Sequence, residues 1–422
     1  MVKGREIALA AIFLLMPVFS FAATEVVLSV DEAVAVALRD SRDIMLKAEE
    51  LKASKARLAE SVSARFPTLS FTGAWGVTRG YYSKDSGQST AQATLKQYLY
   101  RGGKTAGSIE RDRYLVDVSG ALLDKQKLET VSSVRKAFYT LLLADEFSRV
   151  NKQILANARE HLESVRARYQ NGQASESDII AIESSLEDIQ EAYERAYNQA
   201  ELAQASLRVL LFVDKDTAIK ASGEFLYEPQ DVAYDEAFLA ALAQRPEIRQ
   251  YEAKLKADAK AIDVAKAESR PSVYASWDYY SRSHLTATTT RNWNDYNIIG
   301  LTFSWPVFDG WVAAHKVEQA VSGLKSTELS YEKTIKDIAL ELSTAYVSLK
   351  NALARIRASE SDLKVYKDNF SSAQEKYRSG IVSFLDLSDS ELKYAISSFN
   401  RKQAVYDYLA AKISFEKATG GL

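Results

Sequence analysis

Gly103-Lys104-Thr105 has the ending of a phosphate-binding loop, in which glycines admit a phosphate to the backbone amides and the Lys pairs with it. That loop also needs a Gly five positions before Gly103, and Tyr98 stands there, so the feature reads as a turn. His161, His284 and His315 show neither ligand nor triad spacing, and no G-x-S-x-G nucleophile turn occurs. With no Cys, thiolate metal sites, Cys nucleophiles, disulfides and acylated-Cys anchors are all excluded, and three Met leave little for soft metals. No enzyme reading survives, and neither a cofactor nor a metal is expected. What remains is charge at a repeated spacing. Tyr-x-x-Gly-x5-Asp occurs at 169–178 and again at 377–386, placing Asp178, Asp386 and Asp389 at the start of predicted helices. A carboxylate there favours the positive helix end, and that alone would explain them. Asp386 and Asp389 are three apart and share one helix face, so a symmetric ring of copies would gather these acids around one axis.

The elements that must position these acids follow from composition and repetition. Of 422 residues, 47% are hydrophobic and 26% charged, with net charge −2, which excludes a disordered tail or a polybasic nucleic-acid binder. Lys3 and Arg5 precede an apolar run from Ile7 to Phe21 that ends in Ser20-Phe21-Ala22, so residues 1–22 are predicted to be a secretory signal peptide. No other stretch approaches the length of a spanning apolar helix. Any membrane insertion must therefore use strands.

Self-comparison shows one unit used twice. Asp31-Glu32-Ala33 returns as Asp235-Glu236-Ala237 and Phe66-Pro67-Thr68 as Arg270-Pro271-Ser272, both offset by 204; farther on, Tyr100-Arg101-Gly102 matches Phe308-Asp309-Gly310 at 208. The repeats are predicted to be 23–228 and 229–422.

Each repeat holds a period-2 strand pair, at 68–100 and 272–308. Leu69, Phe71, Trp75, Val77, Leu95, Trp277, Ile299, Leu301 and Phe303 fall on one uncharged odd-numbered face, whereas Lys96 and Asp278 lie on the even face. That pattern is apolar-out and polar-in, as in a tilted outer-membrane strand. Trp75, Trp277, Trp293 and Trp305 are the expected interfacial girdle, with Tyr280 and Tyr296 near the loop end. Segments 79–89 and 281–293 read as exposed loops.

The rest reads as helix. No Pro occurs between Lys104 and Glu228 or after Val307, and a heptad runs through Ile335, Leu342, Leu349, Ile356, Leu363 and Phe370. Residues 104–169 and 312–377 would each form about 100 Å of helix, and 175–211 with 235–270, laid end to end, match that length. Gly172 and Gly380 fit C-caps at hairpin tips, and 212–234 reads as an irregular collar. Helices this long and strands this few cannot close one core, so closure requires oligomerisation.

The doubled plan, the Pro67 and Pro271 helix-to-strand turns and the two Tyr-x-x-Gly-x5-Asp tips together resemble the TolC family of bacterial outer-membrane efflux and secretion channels. The resemblance implies an α+β membrane protein, a homotrimer whose four-stranded protomers form one twelve-stranded outer-membrane β-barrel continued by a long periplasmic α-helical barrel. It implies docking of a periplasmic adaptor (membrane fusion) protein, and through it an inner-membrane pump, onto the tips at Asn171, Gly172, Gln173, Ser379, Gly380 and Ile381. It also implies a periplasmic gate of Asp178, Tyr377, Asp386 and Asp389, with Asp178 bonding Tyr377. Some members place an Arg two residues after the second tip Gly, where this chain has Val382. Two alternatives stay open: an exported coiled-coil structural or adhesive protein without a pore, and a soluble helical binding module.

Overall fold

A computed structural model describes residues 25–421 apart from 82–83, 174, 230–231, 286–291 and 380. The signal-peptide expectation and the Gly380 cap lie outside the described residues. In chain order the elements are β1 (Glu25–Leu28), α1 (Val30–Asp40), α2 (Arg42–Ser63), β2 (Thr68–Tyr81), β3 (Lys84–Arg101), α3 (Lys104–Gln170) and α4 (Glu176–Leu211). There follow β4 (Ala218–Ala221), α5 (Tyr234–Gln244), α6 (Pro246–Lys266), β5 (Ser272–Leu285), β6 (Asn292–Ser304), α7 (Val312–Arg378) and α8 (Phe384–Thr419).

Four antiparallel strands form a sheet in the order β2-β3-β5-β6. The helices joined to them, α2, α3, α6 and α7, lie side by side in the same order. Farther from the sheet the order is α4, α3, α8, α7. The protomer is thus four elements wide at every level, with open edges at β2 and β6.

Two cores hold it, one for each half of the chain. On α3, Val134, Phe138, Leu141 and Ala144 recur at helical spacing and bury against Ala33 and Ala37 of α1 and Ala203, Leu207 and Leu211 of α4. On α7, Leu342, Ala345, Leu349 and Ala352 bury against Ala237 and Ala241 of α5 and Ala404, Val405 and Tyr408 of α8. A fully buried Leu contributes about 1.5 to 3 kcal/mol, and the small residues opposite let the helices approach. Beyond Ile356 the heptad side chains Leu363 and Phe370 are only half-buried. Phe370 stacks on Tyr394 of α8 with ring centroids 5.6 Å apart.

The turns repeat with the cores. Gly102 and Gly103, at φ 62° and 89°, open α3, and Gly310 and Trp311, at φ 68° and 71°, open α7. Phe212 (φ 55°) ends α4, and Gly420 (φ 84°), 208 residues later, ends α8. Trp311 and Phe212 therefore hold left-handed conformations that a Gly holds in the other half. At Gly102 the need is also steric, because a Cβ would come within 2.6 Å of the Arg270 Cβ.

Several expectations need correction. The strands run through most of the expected loops, to Tyr81 and from Lys84, and to Leu285 and from Asn292. Backbone pairing continues past the apolar-faced stretch that produces alternation, so periodicity underestimates strand length. Residues 235–270 are not one helix: the chain breaks at Arg245-Pro246, since Pro confines the residue before it to extended backbone. A matching break at Ser41, whose hydroxyl accepts from the Ile44 amide, divides α1 from α2. The collar is not wholly irregular either, because β4 pairs in parallel with β1.

Candidate functional site: the polar face of the sheet and the helical tip

Strand register sorts the side chains onto two faces. Leu69, Leu95, Trp277 and Ile299 share one rung, and Phe71, Ala93, Tyr279 and Asn297 another. On this odd-numbered face Phe71 is 76% exposed and Ile299 84%. Even-numbered Gln92, Thr94, Lys96, Tyr274, Asp278 and Tyr280 are half-buried against one another, so the sheet curves with its polar face inward. Among the described side chains one acid breaks the outer face. Asp295, near the far end of β6, pairs with Ser281 and accepts from its hydroxyl at 2.5 Å. A bulge between Tyr98 and Tyr100 also shifts parity, bringing Tyr100 opposite Val273.

The aromatic girdle divides. Trp75, Trp293 and Trp305 are exposed, and the Trp305 indole donates to the Ser269 carbonyl at the base of the sheet, 3.2 Å. Trp277 pairs with Ile299, six positions from both Trp293 and Trp305, so it stands midway between them. Tyr280 and Tyr296, expected at an interface, stack on each other at 5.0 Å on the inner face. Even-numbered parity decides their side of the sheet.

On the inner face the Asp278 carboxylate accepts from Thr94 (2.6 Å), Gln92 (3.2 Å) and Ser276 (3.1 Å). Lys96 lies 3.8 Å from the Tyr274 ring centroid and 4.8 Å from that of Tyr98, and Arg101 lies 4.5 Å from Tyr98.

At the opposite end α3 closes with a Schellman turn. Gly172, at φ 72°, donates to the Tyr169 carbonyl, and Gln173 donates to Arg168. Ile381 donates to the Lys376 carbonyl in the same six-to-one pattern. Asn171, Gly172, Gln173, Ser379 and Ile381 are exposed. The Arg168 guanidinium donates to the Tyr377 hydroxyl, 3.0 Å, tying the ends of α3 and α7 together. Sequence reasoning missed Arg168, although it directly precedes the Tyr-x-x-Gly motif. The Asp178 side chain, and with it an Asp178–Tyr377 bond, lies outside the described residues.

Asp386 forms a capping box with Ser383: the Ser383 hydroxyl and amide donate to its carboxylate at 2.6 and 3.1 Å, and its own amide donates to the Ser383 hydroxyl. Those bonds hold the Asp386 carboxyl below the usual carboxylate range. Asp389 pairs with Lys393 at 2.7 Å and lies beside a groove of about 390 Å³ between α3, α4 and α8. Within one protomer, each acid is matched by its own helix. Among the described residues no cluster of His, Asp or Glu is arranged to hold a metal ion, and no helix is long and apolar enough to cross a membrane.

The model of the outer membrane efflux protein family matches residues 33–211 and 239–421, breaking where the collar joins the two halves. The chain belongs to this family. It is 24% identical over 425 residues to the toluene efflux pump outer membrane protein TtgC of Pseudomonas putida, covering 93% of this chain and 83% of that one. It is 23% identical over 400 residues to the cation efflux system protein CusC of Escherichia coli O157:H7, covering 91% and 84%. The fold matches the crystal structure of the Campylobacter jejuni CmeC outer membrane channel with a TM-score of 0.79 at 19% identity, over 93% of this chain and 85% of that one. This outer membrane efflux protein is an outer-membrane exit duct with its long helices in the periplasm, and its relatives are channels rather than enzymes.

Proposed function

We propose that three copies close into one twelve-stranded barrel and one twelve-wide helical tunnel, and that this conduit passively carries substrate from a periplasmic adaptor and inner-membrane pump to the exterior. The observation that carries this reading is the protomer with two open edges at every level. β2 leaves the helices and β6 returns to them, so the edges of neighbouring copies meet antiparallel. Two copies would make an eight-stranded barrel, whose interior side chains fill. Twelve helices at 8 to 10 Å spacing make a ring about 30 to 38 Å across, leaving a bore of about 20 to 28 Å. Each protomer is read as two internal repeats, 23–228 and 229–422, behind a signal peptide at 1–22.

Trp293 and Trp305 mark the two membrane interfaces in this reading, with Trp75 at the outer one. The tips at Asn171, Gly172, Gln173, Ser379, Gly380 and Ile381 receive the adaptor. Tyr377, held by Arg168, forms the periplasmic gate with Asp178, Asp386 and Asp389, and opening requires that tie to release. Asp386 and Asp389 of three copies would favour cations at this end.

Planar-bilayer recording of the detergent-extracted protein tests the conduit, with an ohmic pore expected and a protein that never conducts refuting it. The chain has no Cys, so single cysteines at Gln173 or Ile381 offer unique crosslinking sites. Adaptor crosslinks from these, and none from a cysteine at Leu329, are expected; the reverse would remove the docking assignment.

A further inference from the structure

Charge on the inner face of the sheet is unbalanced. Among its described side chains are three cations, Lys96, Arg101 and Arg282, and one acid, Asp278. Asp278 is engaged by neutral donors, not by any of the three. The cations rest on rings instead. Lys96 and Arg101 both approach the Tyr98 ring, which places them within about 9 Å of each other, and Lys96 also covers Tyr274. Arg282 lies 5.2 Å from Tyr280 and 5.7 Å from Tyr296, and its Nε has no hydrogen-bond partner among the described residues.

Directly below Lys96 and Arg101 a polar cavity of about 680 Å³ opens between α2 and the start of α3, lined by Arg57, Thr68, Arg101, Lys104, Thr105 and Ser108. Thr68 shares the rung of Lys96, so this cavity faces the lumen. Deeper in, Arg111 is matched by the buried Asp112, and Lys104 by Glu268 at 3.1 Å. Arg57 and Arg101 have no carboxylate partner among the described residues, against one unpaired acid, Glu60, on the same wall. The α3 N-terminus here has no side-chain cap and no acid in its first turn, so its positive end adds to the field.

We propose that this junction is an anion-binding station in the lumen, built by Lys96, Arg101 and Arg57 with Tyr98 and Tyr274, and that it takes organic anions bearing an aromatic ring. The inference rests on the channel reading and deepens it by naming a substrate class. The carboxylate or sulfonate meets the cations, which outnumber the one unpaired acid, Glu60, and sit in a confined lumen where their field is strengthened. The ring meets Tyr98 and Tyr274, which form an edge-to-face pair with centroids 5.6 Å apart. In a trimer three stations would face one axis, upstream of the barrel exit and far from the acidic tip.

The test is block of single-channel current by small probes added from the barrel side. 1-Naphthoate should block at a concentration at least tenfold lower than 1-naphthylmethylammonium or acetate. The Lys96→Gln/Arg101→Gln variant should raise the half-blocking concentration of naphthoate at least tenfold, and Tyr98→Leu should narrow the gap between naphthoate and acetate. Trimer recovery is read on the same samples, and Arg101→Lys, which keeps the charge but loses the planar stack, serves if the double variant does not assemble. A conducting wild-type pore that treats the two naphthalene ions alike, or that favours the cation, overturns the station and leaves the channel standing. A protein that never conducts overturns both.

Discussion

Replacing Ile299 with Arg should damage assembly far more than the same change at the adjacent Ile298. Trp293 and Trp305 are 12 positions apart on one strand path. At about 3.3 Å per residue this is about 40 Å along the strand, or about 30 Å along the membrane normal at a tilt of about 40°. That matches the hydrocarbon thickness of a bilayer, with Ile299 at its centre, six positions from either Trp. An Arg facing lipid at the midplane costs about 2 to 4 kcal/mol, falling to about 0 to 1 near the interface. Three copies multiply this to about 6 to 12 kcal/mol per trimer. Leu301→Arg should therefore cost less than Ile299→Arg, and Phe303→Arg, two positions from Trp305, least. Ile298 pairs with Asp278 on the inner face, so an Arg there meets water and a carboxylate. Urea titration of folding into lipid vesicles, with the fraction of heat-resistant trimer on gels as a second readout, measures the series. Equal tolerance at 298 and 299, or a flat profile from 299 to 303, would refute the face assignment and the membrane span with it.

Gly102→Ala should cost about 2 to 5 kcal/mol, combining a left-handed backbone with a Cβ forced against the Arg270 stem, whereas Gly310→Ala, with nothing within 4 Å, should cost only about 1 to 2; chemical denaturation compares them. Arg245→Met should cost about 3 to 5 kcal/mol, because the 3%-exposed guanidinium pairs with Glu247 at 3.2 Å and Glu341 at 2.6 Å. Burial pushes Glu247 up, but the Arg245 charge and hydrogen bonds prevail and hold it below its ordinary value. Its stabilisation is thus complete above the unfolded value of about 4.3 and fades as pH falls through the lower folded value, a fade that the Met variant should lack in pH-dependent melting. An epitope inserted at Thr288, between β5 and β6, should label intact cells, and labelling only after permeabilisation would invert the topology. Neutralising Asp386 and Asp389 together to Asn should weaken cation preference in bilayer recordings if the trimer gathers them, and leave it unchanged if they serve only Ser383 and Lys393.

The long helices were legible almost to the residue. Lys104 and Val312 were expected starts and are the observed ones, and the expected ends at 169 and 377 fall one residue short. Pro-free heptads bounded by glycine turns are local signals, and a helix is built from local hydrogen bonds. The exposed apolar side of the strands was legible for the same reason, since alternate residues must point opposite ways. The tip acids were found by type and spacing, but not what each one touches. Asp386 follows Ser383 by three residues, so its capping box could have been read from Ser-x-x-Asp.

Sequence by itself determined the period of each element, the doubled plan, the strand faces and the absence of thiol chemistry, all set by residue type and near neighbours along the chain. Only the tertiary structure decided that β1 pairs with β4 across some 190 residues, that Arg168 reaches Tyr377, and that Lys96 and Arg101 converge on one tyrosine above a basic cavity. The last two depend on two helix ends or a strand bulge arriving at the same place. No local periodicity encodes that meeting, because it is set by the packing of elements distant in the chain.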